Sequence, residues 1–289
     1  MSTFKVNLSG MNRILIPTDF SQNAREAATF AFDYFSGLPC TFFVLNVEKA
    51  GSFVMDNLMT ARPGSSIDQA IAGDNKKKLI ELVEHYREQN EKEAFTFLPL
   101  FDYDIFVDAV KQTVKKQKID LIVMGTNGAT GARETLFGSN TLQVIRSVDC
   151  PILAIPEGFA YSSTKRILLS IIDGICPSEK EIAVLKAILS HHKPTIHVLS
   201  ITQGPLDRGE RSSLEQKVGR LLAPGKVSYH YLDKIPVPMA IKAFVQLESI
   251  DMHALHIEKR SFLDRFIYGS HTSGISYQSE IPLLVLNSH

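Results

Sequence analysis

The sequence predicts an α/β protein built from two open, Rossmann-like parallel sheets of five strands each, with helices on both faces. Three observations point there. Apolar runs of strand length alternate with longer segments of helical period. The runs lack the polar alternation of a half-exposed strand, so both faces of each sheet are expected to be covered. The second half of the chain then repeats the element order of the first.

Taken in order, the first half offers strands at 12–17 (NRILIP), 41–47 (TFFVLNV), 95–100 (FTFLPL), 120–125 (DLIVMG) and 151–156 (PILAIP). Between them, Ala24, Ala27, Ala28, Ala31 and Phe35 mark one helical face, and Phe106, Ala109, Val110 and Val114 mark another. The second half offers KRILLSI at 165–171, TIHVLSI at 195–201, KVSYHYL at 226–232, MHALHIE at 252–258 and IPLLVLN at 281–287. RILIPTDFS has its counterpart in RILLSIIDG, and LFGSNTLQVIRSVDCPILAIP in FIYGSHTSGISYQSEIPLLVLN. Val47 to Gly138 is 91 positions and Ile201 to Gly269 is 68, so the first copy carries about 23 extra residues. Most of that excess falls in 49–72, an excursion with Pro, Gly and Ser before a polar helix, and such a segment suits a lid or an interface. The boundary between copies is EGFAYSST at 157–164, giving domains of residues 1–157 and 158–289.

At 289 residues the chain has room for two domains of ordinary size. Hydrophobic residues make up 44% and charged residues 21%, a globular composition. Lys+Arg and Asp+Glu balance at 31 each, so no global field draws it to nucleic acid or an anionic membrane. No apolar run approaches the 18 or so residues of a bilayer span, and MSTFKVNLSGMN carries no secretory pattern. Cys40, Cys150 and Cys176 are odd in number, lack C-x-x-C spacing and sit in or beside apolar stretches, which fits a reduced, cytoplasmic interior.

The segment GTNGATGARETLFGSNT, 125–141, places four glycines where a strand ends. At such an end of a parallel sheet, near a reversal of strand order, ligands bind. Gly138-Ser139 leads into NTLQVIRSV, where Leu142, Ile145 and Arg146 keep helical spacing, so a helix begins at or near Ser139. Its free N–H groups and partial positive charge suit an anion. Gly125 and Gly128 would admit phosphate oxygens where a Cβ would clash, and Ser139 has two donors. The competing reading is a turn followed by a capped helix. The stretch matches neither G-x-x-x-x-G-K-[ST] nor G-x-G-x-x-G opening a helix.

Gly125-x-x-Gly128, nine residues, then Gly138-Ser139 resembles the ATP-binding signature of the universal stress protein family. ILIPTDFS (14–21), LNV (45–47), DLIVMGTNG (120–128) and CPILAIP (150–156) resemble the same family in the same order, over nearly all of the first copy and more weakly over the second. The resemblance implies that Pro17, Thr18 and Asp19 contact the nucleoside and that the main chain of Val47 meets the adenine edge. It implies that Gly125, Gly128, Gly138 and Ser139, with Asn140 beside them, hold the phosphates. Asn127 stands where the family often has histidine and cannot titrate near neutrality; Arg133, inside the spacer, is a further candidate for the phosphates. Asp19 has an alternative role as a cap for the helix near Ser21, and Val47 as plain core.

The implied ligand is ATP or another adenine nucleotide, held by the first domain, with Mg as a companion ion. The resemblance also implies pairing through final strands: 151–155 of one copy against 281–286 of the other would make the chain a pseudo-dimer. Further homodimerisation through 49–72 is open.

Aligning Gly269-Ser270 with Gly138-Ser139 sets His256 and Lys259 where Gly125 and Gly128 stand, so the second copy is expected not to bind ATP in the family's manner. Lys259 and Arg260 are candidates for another anion. His253, His256 and His271 are candidate metal ligands, but their spacing fits no zinc motif, and 253 and 256 point to opposite faces of a regular strand. Neither G-x-S-x-G nor H-E-x-x-H occurs, and no general base is evident, so the expectation is a nucleotide-binding module with slow hydrolysis at most. A scaffold of the same fold without nucleotide is the alternative. An adenylating enzyme is disfavoured, because S-G-G-x-D-S and HIGH-like motifs are missing.

Overall fold

The computed structural model describes residues 11–48, 67–126, 137–257 and 280–287, and within 67–73 the backbone alone. In the first half the order is β1 (Arg13–Pro17), α1 (Gln22–Tyr34), β2 (Thr41–Glu48), α2 (Ile67–Gln89), β3 (Thr96–Tyr103), α3 (Phe106–Gln117), β4 (Leu121–Gly125), α4 (Ser139–Ser147) and β5 (Ile152–Ile155). The second half continues with β6 (Arg166–Ile172), α5 (Ala183–His192), β7 (Thr195–Thr202), α6 (Arg208–Leu222), β8 (Lys226–Asp233), α7 (Val237–Leu247), β9 (Met252–Ile257) and β10 (Leu283–Asn287). All ten expected strands are present. The polar helix α2 starts at Ile67, inside the excursion expected over 49–72, because Ile67-Asp-Gln-Ala-Ile-Ala suits a helix and Gly73 alone costs only about 1 kcal/mol. Residues 49–66 lie outside the described segments.

Both predicted five-stranded sheets form, and they join into one sheet of order β3-β2-β1-β4-β5-β10-β9-β6-β7-β8. Each half is parallel within itself. The seam is antiparallel, with Leu283 opposite Ala154, Leu284 opposite Leu153 and Val285 opposite Ile152, which is the pairing expected of 151–155 with 281–286. Both strands carry apolar residues on both faces and are fully covered. Ala27, Ala28 and Ala31 of α1 put that helix on one face with α2, α5 and α6, while α3, α4 and α7 cover the other. Each core runs unbroken across the seam: Tyr34 and Phe42 share one cluster with Leu185 and Met252, and Leu15 and Ile145 share the other with Phe244 and Leu255.

The same bolt recurs in both halves. Asp120 Oδ2 accepts from the N–H of Asn12 (3.0 Å) and Arg13 (2.9 Å), tying the start of β4 to the start of β1. Asp251 Oδ2 accepts from Lys165 (2.7 Å) and Arg166 (2.8 Å), tying β9 to β6. Seven positions after Arg13 and Arg166, Phe20 and Asp173 both adopt positive φ, 63° and 48°, to turn the chain out of the sheet.

Asn287, the last residue of β10, is buried and donates Nδ2 to the carbonyls of Ile145 (3.3 Å), Val148 (3.2 Å) and Cys150 (3.4 Å) at the carboxyl end of α4. A side chain from the second half thereby finishes a helix of the first. Asn287→Leu should lower stability by about 1 to 3 kcal/mol, because it strands buried acceptors. Urea denaturation measures this, and an unchanged midpoint would remove the residue from the account.

Candidate functional site

β1 lies between β2 and β4, and the chain leaves β1 toward β2 while β4 leads on toward β5. The carboxyl ends of β1 and β4 therefore flank the point where strand order reverses. At the β1 end, Pro17 sits opposite Leu45. Thr18 N–H donates to Leu45 O (2.8 Å), and the Thr18 carbonyl accepts from Asn46 Nδ2 (2.8 Å). Thr18 Oγ1 accepts from the N–H of Phe20 (3.1 Å), stabilising its positive-φ turn. Asp19 is exposed, and its Oδ1 accepts from Ser21 N–H (3.0 Å). Ser21 itself caps α1 by accepting from Ala24 N–H (3.2 Å). The capping function weighed for Asp19 is thus shared: Asp19 shapes the turn and Ser21 closes the helix. Val47, near the end of β2 and opposite Asp102, is half-buried against the α3/α4 core.

At the β4 end, Thr126 N–H continues the sheet to Ile155 O (2.9 Å). Gly138 N–H returns to Thr126 O (2.6 Å), which brings residues 126 and 138 together. α4 begins at Ser139, as the spacing predicts, with Gly138 as its N-cap and no capping side chain. Ser139 and Asn140 are exposed, so the first turn of α4 presents its amides and two polar side chains at the rim. Thr141 is buried and donates Oγ1 to Gly125 O (2.9 Å). Asn127, Gly128 and Arg133 lie outside the described residues. The structure brings Thr18, Asp19, Gly125, Gly138, Ser139 and Asn140 to the ends of two adjacent strands, with Val47 one strand further.

Gly125 departs from expectation in what it accommodates. A Cβ there would stand 2.6 Å from the Asn23 side chain, in the first turn of α1. The close approach that calls for glycine is made by Asn23. Sequence reading missed both Asn23 and Thr141; the available signal was a polar residue, Asn23, set into the alanine-lined face of α1.

In the second half, Asp251 corresponds to Asp120, and five residues further His256 corresponds to Gly125. His256 is buried, with Nε2 3.4 Å from Glu181 Oε2. Where the first half sets a glycine against the Asn23 side chain, the second sets the bulky His256 against Glu181. β6 also runs to Ile172, two residues past the position where β1 stops. Lys259, Arg260 and His271 lie outside the described residues.

Other chemistry is muted. Ser170 Oγ and His253 Nε2 are 2.8 Å apart, but both are buried inside the sheet between β6 and β9. Burial raises all three thiols, Cys40 to about 12, which withholds the thiolate near neutrality. Among the described residues no three His, Cys, Asp or Glu side chains are grouped to hold a metal ion. A groove of about 860 Å³ between α1, α2 and residues 158–161 carries Arg25, Lys78, Glu26 and Asp33, charges of both signs; only Phe20 and Gln22 bring it near the β1 end. No helix among the described residues is long and apolar enough to cross a membrane.

Fold and rim define a doubly wound α/β protein with a glycine loop at a reversal of strand order. The chain belongs to the universal stress protein family, whose model matches residues 10–156. It is 27% identical to universal stress protein MJ0531 of Methanocaldococcus jannaschii over 148 residues, 50% of this chain and 82% of that protein. It is 27% identical to universal stress protein MJ0577 of the same organism over 154 residues, 50% of this chain and 93% of that protein. Among solved structures, a universal stress protein from Archaeoglobus fulgidus DSM 4304 superposes with a TM-score of 0.69 at 17% identity, covering 96% of this chain and 99% of that one. The fold likeness thus spans both halves.

Proposed function

We propose that the first half binds ATP, or another adenine nucleotide, and that the bound state sets the conformation or partners of a stress-response module with little or no hydrolysis. The observation that carries this is the uncapped start of α4, with exposed Ser139 and Asn140, held at the end of β4 beside β1 by the bond from Gly138 to Thr126. Pro17, Thr18, Asp19 and the Val47 main chain receive the nucleoside; Asn127, Gly128, Gly138, Ser139, Asn140 and Arg133 surround the phosphates, and Gly125 ends the strand beneath them. Three or four charge-assisted hydrogen bonds of about 1.5 to 3 kcal/mol each, less the cost of ordering the ligand, suffice for a micromolar complex near 8 kcal/mol. A Mg ion would arrive on the phosphates, which carry the hard oxygen ligands it prefers.

The chain is on this reading a tandem universal stress protein, with domains 1–157 and 158–289. The repeated Asp120 and Asp251 bolts and the repeated strand order support it. The second domain is degenerate as a nucleotide site because His256 and Glu181 occupy it. Balanced overall charge supports a partner other than nucleic acid, and three free cysteines suit a reducing, cytoplasmic setting.

The test is a mass spectrum of small molecules released from protein purified without nucleotide, with calorimetric titration of ATP against AMP. Bound ATP is expected, at one per chain. Gly128→Val should weaken ATP at least about a hundredfold, the loss of two charge-assisted bonds, with melting temperature unchanged. No binding at millimolar ATP would overturn the reading in favour of a scaffold.

A further inference from the structure

We propose that Asn23 is the positioning residue of the glycine loop: its buried amide grips the end of β4 from one face of the sheet and so fixes where the phosphate-binding loop departs. The proposal rests on the nucleotide reading above. A Cβ on Gly125 would lie 2.6 Å from Cγ, Nδ2 and Oδ1 of Asn23 alike, closer than any real side chain tolerates. Asn23 cannot swing clear, since it is only 6% exposed and sits in the first turn of α1, anchored by Ser21 and packed through Ala24, Ala27 and Ala28. From the opposite face, Thr141 of α4 donates to Gly125 O at 2.9 Å and is itself 3% exposed.

Gly125 is therefore held between the two helical layers, α1 below and α4 above. The next residue, Thr126, receives Gly138 N–H, so the stem of the loop and the start of α4 are both referenced to this one clamped point. A shift of the strand end by even part of an ångström would carry Gly138, Ser139 and the first turn of α4 with it. The glycine at 125 is thus a consequence of Asn23, and its tie to the ligand is through the loop's position.

The second half contains the converse construction. At the corresponding strand end the bulky group stands on the strand, as His256, and meets Glu181 from the segment that leads into α5. In each half one side chain fills the contact between strand end and helix start. In the first it comes from the helix, which leaves the strand's rim open; in the second it comes from the strand, which closes it.

The test is a four-protein cycle on the full chain: wild type, Gly125→Ala, Asn23→Ala and the double variant, each measured for ATP affinity by calorimetry and for melting temperature. Gly125→Ala should lose affinity about tenfold or more and melt earlier, because its methyl group displaces the clamp. The double variant should recover both quantities relative to Gly125→Ala, since the new methyl enters the space that the amide leaves. If Gly125→Ala proves insoluble, recovery of a folded protein in the double variant supports the clamp, and equal insolubility overturns it. Additive losses in a protein that binds ATP would overturn this proposal alone and assign Gly125 directly to the ligand. A wild type without ATP affinity would overturn the nucleotide reading together with the positioning role.

Discussion

Tyr34→Ala should destabilise the chain by about 3 to 5 kcal/mol, the range for deleting a fully buried aromatic. Tyr34 ends α1 with no exposed surface, and its ring lies 5.3 Å from Phe30, 5.9 Å from Tyr161 and 4.2 Å from His192. Its hydroxyl reaches Met252 Sδ at 3.7 Å and also pairs with Thr164. One side chain of the first half thus touches α5, β9 and the connecting segment. Its loss opens a cavity where the two halves meet, so the unfolding transitions of both should move together in urea. Tyr34→Phe keeps the ring and should cost only about 0.5 to 1.5 kcal/mol. A loss below about 1 kcal/mol in Tyr34→Ala would show that the surroundings collapse onto the gap.

Acidification is the second large effect. Complete burial pulls His253 down to about 3, and burial, with help from the neighbouring His191, pulls His192 to about 4. The unfolded chain takes up these protons near pH 6.5. The folded chain takes them up only near 3 and 4, so folding stability is whole above pH 6.5 and drains away as pH falls toward those values. For His253 the slope approaches about 1.4 kcal/mol per pH unit, or about 2 kcal/mol between pH 6.5 and 5. Urea midpoints at pH 7 and 5 measure it. The pair His253→Leu with Ser170→Ala removes the titrating ring and its hydroxyl partner together, and its midpoint should vary less with pH. An unchanged slope would mean that His253 takes up its proton at the same pH in the folded and unfolded chain.

The fold was legible because its strands are apolar on both faces. ILIP, LIVMG and ILAI have strand length and alternate with helical segments, which suits a sheet covered on both faces, and the repeat supplied the second sheet. Pairing of β5 with β10 also followed, since two apolar final strands would otherwise leave bare edges. β3 was read three residues short: Asp102 and Tyr103 look like loop, yet they continue the ladder beside Val47 and Glu48 at the sheet's margin, where polar residues are tolerated. The helix start at Ser139 was visible from the spacing of Leu142, Ile145 and Arg146. Asn23 and Thr141 were not, because their partner, Gly125, lies 102 and 16 residues away and only the folded sheet brings the three together. Glycine in a sequence announces a close approach without saying what approaches. Asp19 shows the same limit, since a carboxylate two residues before a helix cap serves equally to shape a turn or to receive a hydroxyl.

The antiparallel seam at β5 and β10 has one more consequence. It points the strands of the two halves in opposite directions, so their carboxyl ends open on opposite rims of one sheet. Two identical subunits joined this way would have to carry every substitution on both rims at once. A single chain has no such obligation: Gly125 stands on one rim and His256 on the other, and Pro156 follows one final strand where Asn287 ends its counterpart. Covalent linkage breaks the twofold symmetry, freeing one rim to change its chemistry while the other keeps a constant shape.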